Sequence, residues 1–87
     1  MYIWKYPIPI EDEFEIEMPY DALVLCVQMQ GDTPCIWVKT TGTDRLEKKK
    51  FSIIGTGNPF NPRGLSYIGT FQQYGGKLVW HLFERWT

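Results

Sequence analysis

Gly55, Thr56, Gly57 and Asn58, followed by Asn61 and Arg63, are the residues of this chain whose types and spacing suit chemistry. Glycines at 55 and 57 free backbone amides for close approach, the two asparagines donate and accept hydrogen bonds, and Arg63 offers a planar cationic fork matched to phosphate. These groups hold an anion or a nucleotide-like ligand, and none of them breaks a bond. The Gly-Thr-Gly-Asn run lacks the lysine and spacing of a P-loop and does not lead into a helix, so neither nucleotide fingerprint applies. The alternative is a structural Ω-type connection whose glycines and prolines only shape the turn. Both readings stand at this point.

Enzymatic constellations are thin. His81, the single histidine, alternates with Val79 and Phe83 on one strand face, which suits a packed or partner-bonded imidazole better than a general base. Cys26 and Cys35 lie within apolar runs and have no sequence-local activator, so free thiols packed as small hydrophobes are expected. There is no CxxC pair to hold a metal. Glu13, Glu15 and Glu17 alternate with Phe14, Ile16 and Met18, the period of a solvated strand face rather than of a cation site. Arg45 and Lys48 to Lys50 suit a solvated edge, and the chain as a whole lacks the basic balance of a nucleic-acid binder. No enzyme, metal or cofactor is expected, and nucleic acid is a poor candidate partner.

The elements that must position the loop are strands. Residues 2–7 are rich in aromatic and β-branched types and end at a proline pair, and residues 13–18 alternate strictly. Residues 22–30 are apolar on both faces, and Gly31-Asp32 turns them into a return strand at 34–40. Strands at 48–54 and 66–73 flank the loop, and Gly75-Gly76 makes a tight turn into a last strand at 77–83. Gly55 and Gly69, each in an Ile-Gly-Thr, mark bends or close backbone approaches. The pattern predicts an all-β fold, a small antiparallel meander closed into a barrel or sandwich of about seven strands with little or no helix.

Eighty-seven residues suffice for one domain with a modest core, so the four Trp, five Tyr and five Phe must supply much of it. Charge is split along the sequence: residues 1–32 sum to −6 and residues 33–87 to +5. Two arrangements produce that split. Opposed faces would favour a homodimer, whereas neighbouring strands would simply neutralise one another. No apolar run has the length of a membrane span or a signal peptide, so no membrane partner is expected.

The motifs Ile3-Trp-Lys-Tyr-Pro7, Ile16-Glu-Met-Pro19, Val27-Gln-Met-Gln30, Pro34-Cys-Ile-Trp37, the Phe51-to-Gly57 run and Tyr67-Ile-Gly-Thr-Phe-Gln72 with the closing Val79-Trp-His81 span nearly the whole chain. They resemble an uncharacterised family of short tailed-phage proteins. The resemblance implies a phage accessory protein in the host bacterial cytoplasm, where small binders block host defences. With the loop, it leads to the expectation of a non-enzymatic anti-defence protein that captures a host nucleotide-derived immune signal through Gly55, Thr56, Gly57, Asn58, Asn61 and Arg63. The alternatives are a protein-binding inhibitor of a host defence enzyme and a small structural or assembly protein.

Overall fold

The computed structural model describes residues 1–87 and contains seven strands: β1 Tyr2–Pro7, β2 Glu13–Pro19, β3 Leu23–Gln30, β4 Thr33–Thr40, β5 Leu46–Gly55, β6 Leu65–Gln73 and β7 Leu78–Arg85. They form two antiparallel sheets, ordered β1-β4-β3 and β2-β5-β7-β6, packed as a sandwich and not closed into a barrel. The all-β expectation is met in its sandwich form. Successive strands pair directly at β3-β4 and β6-β7, the β5-β6 connection stays in the second sheet and steps across β7, and the other three connections pass from one sheet to the other. Helix is confined to a single 3-10 turn, Tyr74–Gly76.

Alternation builds the core. On β4, Ile36 and Val38 point inward, and Phe14, Met18, Phe51, Ile53, Phe71 and Leu82 face them from the second sheet. Ile8, between the two prolines that end β1, is also buried and plugs the space between the sheets. The strand after the polar connection begins at Leu46, two residues ahead of its expected start, because Met18 and Pro19 of β2 pair with Glu47 and Leu46.

The sheets approach most closely where β3 meets β6. A Cβ at Gly69 would lie 2.8 Å from Cγ1 of Val27, so this glycine is required by the packing of one strand on the other. Gly69 also follows a register shift in β6: Tyr67 faces Phe83 and Gly69 faces Leu82, leaving Ile68 as the extra residue of a bulge. Gly55 is crowded too, with the Asn58 amide 2.9 Å and the Trp80 ring 3.3 Å from its Cβ position.

The two charged halves lie side by side. Register places Glu15 opposite Lys50 and Glu17 opposite Lys48, which is the neutralising arrangement. Cys26 faces Trp37 rather than Cys35, and both cysteines are free thiols. Trp86 bonds within its own chain, its backbone N–H to Gly64 O at 2.8 Å and its indole N–H to Ser66 Oγ at 2.7 Å.

Candidate functional site

The connection between β5 and β6 folds over the outer face of the second sheet. Its first turn runs from Gly55 to Asn58, closed by Asn58 N–H to Gly55 O at 3.1 Å, with Gly57 at φ +90° in the position that demands a left-handed backbone. Thr56 N–H donates to Val79 O at 3.1 Å and ties the turn to β7. The Thr56 and Asn58 amides are therefore engaged within the protein. The Gly57 N–H donates to no other backbone group.

Under this turn lies a cleft of about 300 Å³, lined by Ile54, Gly55, Thr56, Gly57, Asn58, Phe60, Tyr67, His81 and Phe83. Four of the expected site residues, Gly55, Thr56, Gly57 and Asn58, are brought together there. Asn61 and Arg63 are not among the lining: they lie further along the connection, where Arg63 N–H donates to Asn61 Oδ1 at 3.0 Å. That contact shapes the loop. No charged side chain lines the cleft.

Three aromatic rings form one wall. Phe60 lies 5.4 Å from Phe83 at 43°, and Tyr67 meets Phe83 edge-on at 5.6 Å. Phe60 and Tyr67 remain 46% and 61% exposed, so the aromatic surface faces water rather than the core. His81 supplies the polar side. Its Nε2 lies 2.7 Å from Thr56 Oγ1 and its Nδ1 2.8 Å from Thr70 Oγ1, and Thr70 Oγ1 lies 2.5 Å from the Tyr67 hydroxyl.

With a neutral imidazole, one ordering of protons satisfies every contact in this chain. Tyr67 O–H donates to Thr70, Thr70 O–H to His81 Nδ1, His81 Nε2–H to Thr56 Oγ1, and Thr56 O–H to Val79 O at 3.3 Å. Each proton is then committed within the protein. The oxygens keep lone pairs with which to accept further hydrogen bonds.

The bulge makes the network possible. Tyr67 and Thr70 are three positions apart, and strict alternation would place them on opposite faces of β6. The extra residue Ile68 returns Thr70 to the outer face, beside Tyr67 and opposite His81. The Thr70–His81 pairing itself was accessible from sequence by counting back from Gly75-Gly76, because that register holds from Gln73–Leu78 to Thr70–His81. Phe60, in the middle of the connection, carried no signal of its position.

The family model described as Domain of unknown function (DUF7352) matches residues 1–87, so the whole sandwich, cleft included, lies within the match. The chain belongs to that family. Comparison of this DUF7352 chain with curated proteins and with solved structures gave no match. No helix of the DUF7352 fold is long and apolar enough to cross a membrane.

Proposed function

We propose that this chain is a non-enzymatic binding protein whose cleft takes a planar heterocyclic ring, such as the base of a nucleotide-derived molecule. The observation that carries the reading is the exposed Phe60, Tyr67 and Phe83 wall set against the Tyr67–Thr70–His81–Thr56 hydrogen-bond chain. Aromatic rings give a π-face to any base, and hydroxyl oxygens at the edge accept its N–H groups. At about 300 Å³ the cleft stands at the lower limit of small-molecule sites, enough for one ring system and too small for a whole dinucleotide.

In the phage setting implied by the sequence resemblance, the ligand is a host nucleotide-derived immune signal and the action is sequestration in the bacterial cytoplasm. Titration calorimetry with a panel of nucleosides, cyclic nucleotides and ADP-ribose derivatives, followed by chromatography of the ligand, tests this. A member of the panel is expected to bind and to be recovered unchanged. No binding across the panel, or conversion of the ligand, would overturn the proposal.

A second reading, a protein-binding inhibitor of a host enzyme, rests on a different surface. Ile3 and Leu23, on the two edge strands of the first sheet, both pair with Lys39 and so share one face, where they are 58% and 56% exposed. A host protein recovered with the chain in stoichiometric amount, and released by Ile3→Asp, would favour it.

A further inference from the structure

A nucleotide carries a phosphate as well as a ring, and the ring cleft offers no cation to receive it. Two further clefts adjoin the same turn. One, of about 390 Å³, is lined by Gly55, Thr56, Asn58, Lys77, Leu78, Val79 and Trp80, and so shares three residues with the ring cleft. The other touches Gly55 and Asn58 as well but carries Asp12 and Glu13, whose charge repels a phosphate. Arg63 lines none of the three.

We propose that Lys77 is the phosphate-binding residue of this site, with the ligand passing from the aromatic cleft across Thr56 and Asn58 into the neighbouring cleft. The inference rests on the ring-binding reading above. Lys77 stands immediately before β7, at the end of the 3-10 turn, and lines the cleft that meets the ring cleft at Gly55, Thr56 and Asn58. A sugar and the flexible four-carbon stem of lysine join the two clefts across those shared residues.

Lys77 is also unspent. The two ion pairs of the fold join Lys49 to Glu47 and Arg85 to Glu13, and no carboxylate lines the cleft that Lys77 enters. Its side chain is exposed, so the charge is not needed for packing. Asn58, common to both clefts, adds an amide that donates to phosphate oxygens. The phosphate is thus recognised by a point charge and an amide, without the bidentate arginine fork that the sequence suggests.

The test compares adenosine with AMP and guanosine with GMP by calorimetry on the full chain at low and at physiological salt. For the pair that binds, the monophosphate is expected to bind about five- to tenfold more tightly than its nucleoside at low salt, and the difference should shrink as salt is added. Lys77→Ala should bring monophosphate and nucleoside to equal affinity while leaving the nucleoside unchanged, which also reports an intact fold. Arg63→Ala removes the same charge outside the clefts and should preserve the preference. A preference that survives Lys77→Ala, or is lost equally in Arg63→Ala, overturns the assignment, as does a nucleoside that binds as tightly as its monophosphate. If neither nucleosides nor monophosphates bind, the ring-binding reading falls, and the Lys77 assignment falls with it.

Discussion

Phe60 stands over Phe83 with almost half of its surface in water, at a point where the β5-β6 connection needed no large apolar residue to close its turn. Ring stacking gives that exposure a use. Phe60→Ala should weaken ring binding by about 1–3 kcal/mol, roughly five- to 150-fold, the range found when one aromatic platform is removed from under a base. The loss of stability should be smaller than for a fully buried ring, because almost half of the Phe60 surface stays in water on folding. Calorimetry beside a thermal melt separates these effects, and a variant that binds as well as wild type would remove Phe60 from the site.

At the scale of elements, two carboxyl groups pull the pH dependence of stability in opposite directions. Asp21, in the turn after β2, accepts Thr40 O–H at 2.7 Å and, on its other oxygen, Thr41 O–H at 2.6 Å and Thr41 N–H at 3.2 Å. Those hydrogen bonds, the Thr41 hydroxyl first and the Thr40 hydroxyl next, hold its pKa below the usual carboxylate value. A lowered pKa stabilises the fold above the ordinary carboxylate range, and the contribution is lost as pH falls through the lowered value. Asp21→Ala should therefore melt earlier than wild type at neutral pH, with the gap narrowing in acid.

Glu84 behaves in the reverse sense. It lies on the inner face of β7, paired in register with Phe51, and burial raises its pKa despite the opposing influence of nearby Lys49. A raised pKa means that the folded state prefers the protonated acid, so its contribution is greatest below the ordinary range and is lost as pH rises through the raised value. Glu84→Gln should melt later than wild type at neutral pH and converge with it near about pH 4. Melting curves for the two variants across that interval check both signs, and parallel curves for either variant would show that its carboxyl does not titrate differently on folding.

For the whole molecule, the decisive contact is Gly69 against Val27, where the two sheets come closest. Gly69→Ala should cost about 1–3 kcal/mol through overpacking, because buried Val27 must shift to admit the methyl group. For a domain of this size each kcal/mol corresponds to about 4–8 °C in Tm. Val27→Ala should be less damaging in the Gly69→Ala background than alone, since it relieves the crowding; additive effects of the two substitutions would count against direct contact. Reductant should leave Tm unchanged, because Cys26 faces Trp37 and no disulfide joins the strands. A fall in Tm on reduction would require a bond this register does not provide.

Local signals were enough to establish that the chain is all β and approximately where its seven strands lie. Alternation at Phe14, Ile16 and Met18, the Gly31 and Gly75-Gly76 turns and the glycines of the β5-β6 connection are local signals, and local sterics set them. His81 as a bonded imidazole was legible in the same way, from its place between Val79 and Phe83. Tertiary structure alone decided which strands share a sheet, because pairing of β2 with β5 or β1 with β4 depends on which apolar faces can cover one another, not on neighbouring residues. It also decided which residues line the clefts. The bulge at Ile68 turned Thr70 toward Tyr67, and the connection folded back to set Phe60 on Phe83, placing Lys77 beside the shared turn while Arg63 lined none of its clefts. A one-residue insertion in a ladder reverses the face of all that follows, and this one lies next to Gly69, which packs against Val27, forty-two positions away in the chain.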